Sequence, residues 1–369
     1  MDFSFTEEQE TVGKVARQLF EHRATPERLT ELESGEVRFD EALWRELASS
    51  DLLGIALPES VGGSGGGFLE LGVLLAEVGW SVAPVPVYAT LMLGADTIAR
   101  HGDSVIQQLY LPKVVDGSAI LTAGLAEPGN SDPTTPRTTA RADGDIWILD
   151  GSKELVPAAQ LADAIVVSAL AADGPGLFII EAATAGVSVT PATTTNGEPY
   201  ADVELTGAVG HRLNNTRGAD AVGSLYTRAL VGLCAMQVGV AERALKFAAS
   251  YTSEREQFGR PIGSFQAVQQ RLADAFIDVE AIRWTTWHAA WLIDEGRPAS
   301  REAAIAKFWA AEAGARVVAS AQQVHGGMGI DITYPLHRYF LWAKQIELSL
   351  GSASQQLARL GAAYPEGSK

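Results

Sequence analysis

Arg255-Glu-Gln-Phe-Gly-Arg-Pro-Ile-Gly-Ser-Phe-Gln266 is the stretch on which the reading of this chain turns. Gly259, Pro261 and Gly263 stop a helix within it, yet both flanks are helical in pattern. Upstream, Leu230, Leu233, Cys234, Val238, Ala241 and Leu245 share one helical face. Downstream, Phe265 to Asp294 and Arg301 to Gln323 are long enough for bundle helices. A second break, Gln323-Val-His-Gly-Gly-Met-Gly329 followed by Tyr334-Pro335, precedes a last helix. Residues 219–369 therefore read as a helical bundle.

Working back, 119–218 changes character. Ile146–Leu149, Ala164–Ser168, Leu177–Ile180 and Val187–Thr190 read as short strands between turn signals, the pattern of a small barrel or sandwich. Residues 1–118 are helical again. Thr6 with Gln9 three positions on is a capping box, and Asp40 caps a helix bearing Leu43, Trp44 and Leu47. The glycine run after Val61 breaks the chain before a helix at about Phe68 to Val78. The expected architecture is α+β in three domains, 1–118, 119–218 and 219–369.

The 369 residues carry 28 Lys+Arg against 45 Asp+Glu, a formal charge of −17. That balance argues against a nucleic-acid partner. One cysteine, Cys234, leaves no internal disulfide or cysteine-based zinc cluster. The run Ala229–Ala241, interrupted by Gln237, is too short to span a bilayer, and the acidic start is no secretory signal. A soluble cytoplasmic protein away from membranes is expected. Glycines 62–67 do not make a dinucleotide fingerprint; there is no P-loop and no Gly-x-Ser-x-Gly elbow, and the histidines lack zinc spacing.

Three unusual segments remain, in a fixed order along a helix–strand–helix chain. They are Ala126-Glu-Pro-Gly-Asn-Ser-Asp132 with Gly151-Ser-Lys153, then Arg255–Gln266, then Gln323–Gly329. Together they resemble the acyl-CoA dehydrogenase family over essentially the whole chain. Leu57-Pro-Glu-Ser-Val-Gly-Gly63 resembles its N-terminal linker motif, and Glu127-Pro128 with Ser131-Asp132 its flavin-loop signature. The resemblance implies an N-terminal helical domain, a middle β-barrel domain and a C-terminal four-helix bundle. It also implies a tetramer with FAD held between subunits.

Carried over residue by residue, the resemblance makes Arg255, Phe258, Gln266, Gln323, Gly326 and Gly327 the groups that reach an FAD lying mainly in a neighbouring subunit. A guanidinium forks onto a pyrophosphate, an aromatic ring packs on a ring system, and glycine admits close approach. The plain alternatives are a surface ion pair for Arg255 and a helix stop for the glycines. The family's catalytic carboxylate occupies one of two places, and here Leu350 and Thr227 stand there. A Leu takes no proton, and a Thr hydroxyl is far too weak a base. Ala126 replaces a usual Thr, the Gly129-Asn-Ser-Asp132 loop is one residue short, and Leu155 and Pro157 replace the family's Trp and Thr. Arg228 is either a substrate-channel residue or an ordinary ion pair; Glu347 is a paired helix charge or a relocated base. His325 and Cys234 read as packing residues.

The expectation is thus a non-catalytic subunit of a heteromeric acyl-CoA dehydrogenase that completes the FAD site of a catalytic partner chain. Such a heterotetramer would bind two FAD, act on an acyl-CoA (in some relatives a steroid side-chain thioester) and pass electrons to an electron-transfer flavoprotein. The alternatives are a self-sufficient homotetramer and a non-enzymatic scaffold.

Overall fold

The computed structural model describes residues 4–213 and 218–363. The first helices are α1 (Glu7–Arg23), α2 (Pro26–Glu33), α3 (Glu41–Ser49) and α4 (Phe68–Ser81). A π-helix (Tyr88–Ala95) then leads into α5 (Asp96–His101), and α6 (Ser104–Val115) follows. Seven strands come next: β1 (Leu121–Gly124), β2 (Thr139–Asp143), β3 (Ile146–Pro157), β4 (Ala164–Ala171), β5 (Gly174–Glu181), β6 (Val187–Ala192) and β7 (Tyr200–Arg212). The rest comprises α7 (Gly218–Glu254), a hairpin of β8 (Glu256–Gln257) and β9 (Arg260–Pro261), α8 (Gln266–Asp294), α9 (Ser300–His325), α10 (Leu336–Leu348) and α11 (Ala353–Ala362).

Local chemistry sets the helix starts. The Thr6 amide donates to Gln9 Oε1 at 3.0 Å and the Gln9 amide to Thr6 Oγ1 at 3.2 Å, a reciprocal box that opens α1. The Leu43 amide donates to Asp40 Oδ1 at 3.1 Å and opens α3.

The strands close into a barrel. β4, β2, β3, β7 and β5 follow one another, β5 returns to β4, β1 runs parallel to β4, and β6 pairs with β7. The seam between β2 and β4 is short, with Thr139 beside Leu170. Leu149, Val156, Ile165, Val167, Phe178, Ile180, Val203 and Leu205 fill the interior. β3 has two irregularities. Gly151 stands at one, where a Cβ would come within 2.8 Å of Thr138 Cα; the other lies between Lys153 and Val156.

The chain forms two compact units. One contains residues 1–19, 27–71 and 84–229; the other contains 20–26, 72–83 and 230–369. Residues 1–118 contribute to both units. Glycine explains the second unit's share of α4: a Cβ at Gly79 would lie 2.0 Å from the Met236 carbonyl oxygen, and one at Gly239 1.9 Å from that of Ala76. α4 and α7 thus meet backbone to backbone. In this unit α9 packs against α8, α10 and α11. α7 is long and apolar enough to cross a membrane, but 83% of its most apolar window is buried in the protein.

Candidate functional site

One end of the second unit gathers the six residues expected to reach a cofactor. Tyr251, in the last turn of α7, stacks on His325 at the end of α9, with ring centroids 4.3 Å apart. His325 Nδ1 donates to the Ala321 carbonyl at 2.7 Å, so its Nε2 accepts from the Tyr334 hydroxyl at 3.1 Å. The start of α8 returns to the same place. The Ile262 amide donates to the Arg255 carbonyl at 2.8 Å, and a Cβ at Gly263 would come within 3.0 Å of the Thr252 carbonyl oxygen. Arg255 leaves α7 here and Gln266 opens α8. Gln323 lies in the last turn of α9, and Gly326 and Gly327 begin the 3-10 turn Gly326–Ile330.

All six are exposed. Phe258 and Gly259 have φ of 55° and 75° and form the two-residue loop between Gln257 and Arg260, a primed hairpin turn. The left-handed region costs a non-glycine residue about 1–2 kcal/mol. The Phe258 ring is nevertheless 92% exposed, supported edge-on by Phe265, over which Arg260 places its guanidinium at 4.2 Å. The Arg255 guanidinium has no hydrogen bond or ion pair among the described residues, so the surface-pair alternative finds no partner.

This end suits a dinucleotide chemically. Phe265 precedes α8 without a side-chain cap, so the Gln266 and Ala267 amides have no hydrogen-bond acceptor among the described residues, as suits anion donors. Gly326 has a φ of 59°, and a Cβ at Gly326 or Gly327 would stand in open space where a ligand plane can approach.

The flavin-type loop of the first unit is arranged differently. Glu127 is buried and accepts from the Thr138 amide (2.9 Å) and hydroxyl (2.7 Å), the Arg137 amide (2.6 Å), Asn130 Nδ2 (3.1 Å) and Lys153 Nζ (2.6 Å). Lys153 also donates to Ser168 Oγ at 3.0 Å. Burial pushes the Glu127 carboxyl up, but Lys153 and Thr138 outweigh it and hold it at about 2. Other polar groups of the loop pair with one another, while Ser131 is exposed. Asn130 Nδ2 donates to the Thr135 carbonyl (3.0 Å), the Asp132 amide to Asn130 Oδ1 (3.0 Å), and the Thr134 hydroxyl to Asp132 Oδ1 (2.7 Å). Leu155, at a φ of 48°, sits on the second irregularity of β3, half exposed, its amide donating to Asp202 Oδ1 at 2.9 Å. Pro157 offers no amide, and its carbonyl accepts from the Thr122 hydroxyl at 2.5 Å.

At the two positions expected for the base, the Thr227 hydroxyl donates to the Gly223 carbonyl at 2.8 Å, and Leu350 lies in the turn between α10 and α11 with its carbonyl accepting from Gln356 Nε2 at 3.1 Å. Glu347 pairs with Lys344 at 2.5 Å. Arg228 is buried, its Nε and Nη2 forked onto Asp96 at 2.5 and 2.8 Å and its guanidinium 4.5 Å over the Phe68 ring. Burial pushes the Cys234 thiol up to about 12, which leaves it inert.

The sequence reading passed over two polar partners. Asp96 follows the buried π-helix and has no motif around it. Lys307 is fully buried and donates to the Glu347 (3.1 Å) and Gly351 (2.9 Å) carbonyls. Its signal was available: it shares an inward helical face with Ala303, Ala306 and Ala310.

Family models for the N-terminal, middle and C-terminal domains of acyl-CoA dehydrogenases match residues 6–118, 122–207 and 216–364. The chain belongs to the acyl-CoA dehydrogenase family. Acyl-CoA dehydrogenase FadE27 of Mycobacterium tuberculosis is 41% identical over 369 residues, covering 98% of each chain. The solved ChsE4–ChsE5 complex from Mycobacterium tuberculosis is similar at a TM-score of 0.94 and 41% identity, covering 99% of this chain and 100% of that one. A variant of the Tcur3481–Tcur3483 steroid ACAD matches at a TM-score of 0.93 and 46% identity, covering 96% and 97%. Acyl-CoA dehydrogenases are FAD-binding oxidoreductases acting on a CH–CH bond, with the helical, β-rich and helical organisation described above. As an acyl-CoA dehydrogenase, the chain presents one surface whose donors suit FAD. It also carries a flavin-type loop in which Glu127, Asn130 and Asp132 are engaged by hydrogen bonds within the chain.

Proposed function

We propose that this chain is the non-catalytic subunit of a heteromeric acyl-CoA dehydrogenase. Its Arg255, Phe258, Gln266, Gln323, Gly326 and Gly327 complete the FAD site of a catalytic partner chain. The observation that carries the reading is the contrast between the two regions. The six residues are exposed, with Arg255 unpaired among the described residues, while Glu127, Asn130 and Asp132 are engaged within their own loop. FAD, when bound, supplies the hydride acceptor. Arg255 and the open end of α8 hold its pyrophosphate, and Phe258 lies on a ring. The two glutamines bind polar edges, and Gly326 and Gly327 leave room for the approach.

The α-proton of the thioester is removed by a carboxylate of the partner, since Leu350 and Thr227 take the family's base positions here. Glu347 is already committed to Lys344. The substrate class is a bulky acyl-CoA thioester such as a steroid side chain, supported by the steroid ACAD among the similar structures. Residues 1–118, 119–218 and 219–369 are the three domains of this subunit, which works in the cytoplasm and whose complex passes electrons to an electron-transfer flavoprotein.

The test is co-expression with candidate partner chains, followed by turnover of acyl-CoA and flavin content. Turnover by the mixed complex, absent from this chain alone, is expected. Turnover by the chain alone, lost in Glu347→Gln, would replace this reading with the self-sufficient one.

A further inference from the structure

The turn that carries Gly326 and Gly327 does not end at its glycines. Three and five residues beyond Gly327, Ile330 and Ile332 are each 76% exposed. Apolar side chains on a mobile loop would fold back onto the protein. This segment has little freedom to do so, because both of its ends are pinned. Gln322 Nε2 donates to the Gly329 carbonyl at 3.1 Å, and Gly329 is so close to α9 that a Cβ would lie 2.6 Å from the Gln322 carbonyl oxygen. Asp331 Oδ1 accepts from the Thr333 amide and hydroxyl, each at 2.8 Å, and its carbonyl accepts from the Tyr334 amide at 3.1 Å. The Tyr334 hydroxyl is in turn bonded to His325. Two stiff β-branched side chains are therefore held out on a rigid support, which reduces the entropy lost on docking.

We propose that Ile330 and Ile332 are the apolar anchor on which the partner acyl-CoA dehydrogenase chain seats, separate from the residues that grip the nucleotide. The inference rests on the functional reading above. If Phe258, Gly326 and Gly327 touch a cofactor bound mainly by another chain, that chain's surface must lie within a few ångströms of this turn. Ile330 and Ile332, with Met328 in the same turn, are apolar groups placed to meet it. Assembly and cofactor grip then become separable properties of neighbouring residues.

The test pairs two variants of the full chain, each mixed with the catalytic partner. Ile330→Asn/Ile332→Asn should melt as the wild type does when alone, yet form the mixed complex at least tenfold more weakly by native mass spectrometry, with flavin content falling in step. Phe258→Ala should keep the complex while loosening FAD. Should the double variant melt early, Ile332→Ser alone serves, with at least a threefold loss expected. A mixed complex unaffected by either isoleucine variant overturns this inference and leaves the functional reading standing. A wild-type chain that assembles only with itself overturns both.

Discussion

Lys153 holds its ammonium 2.6 Å from the Glu127 carboxylate, and neither side chain reaches solvent. Removing one member of such a pair strands the other charge. Glu127→Gln is expected to destabilise the first unit by about 3–5 kcal/mol. Glu127→Leu combined with Lys153→Met should cost less than Glu127→Gln alone, because no charge is left stranded. Urea denaturation of the three proteins measures both differences.

The same carboxyl sets an acid limit. Glu127 is held at about 2, below its ordinary 4.5. Its folded form therefore binds the proton less readily than its unfolded form, and the stabilisation is fully present above about 4.5. It is lost as pH falls from there towards 2. Burial pulls Lys153 down only to about 8, so Lys153 stays protonated throughout that window. Stability of the wild type should fall across it, and the curve of Glu127→Gln should be flatter there.

What could be read in advance follows how local each signal is. Thr6 with Gln9 and Asp40 with Leu43 are hydrogen-bonded over three residues, so the chain itself states those helix starts. β7 was passed over, although Ala201, Val203 and Leu205 alternate inward with Asp202 and Glu204 outward. Its polar outer face and embedded glycines resemble a loop. Gln266 and Gln323 reach one end of the unit only through the packing of α7, α8 and α9, so spacing alone does not join them. Arg228 stood open between two roles because its partner, Asp96, lies 132 positions away. The share of α4 in the second unit goes with close helix crossings at Gly79 and Gly239, which appear in sequence as ordinary glycines.

Phe258 tests whether the exposed ring serves a ligand. Glycine adopts a φ of 55° without strain, so Phe258→Gly should stabilise the isolated chain by up to about 1 kcal/mol. If the ring packs on FAD, the same change should weaken FAD binding in the mixed complex at least tenfold. Thermal melting and flavin titration read the two effects, which should run in opposite directions.

Gly327 separates a ligand surface from a helix stop. A side chain there meets no protein atom within 4 Å. Gly327→Val should leave the chain's melting temperature within a degree or two, about the effect of a neutral surface change. It should also remove most of the flavin from the complex. Retained flavin would assign the glycine to chain geometry alone.

Leu350→Glu places a carboxylate at one of the two positions expected for the base. If the chain is the non-catalytic subunit proposed above, the variant should show no acyl-CoA turnover when assayed alone.

The most direct measurement is the ratio of flavin to polypeptide in the purified assembly. One FAD for every two chains, with this subunit and its partner present in equal amounts, is the predicted result. One FAD for every chain in an assembly of this polypeptide alone, together with acyl-CoA oxidation, would contradict the account.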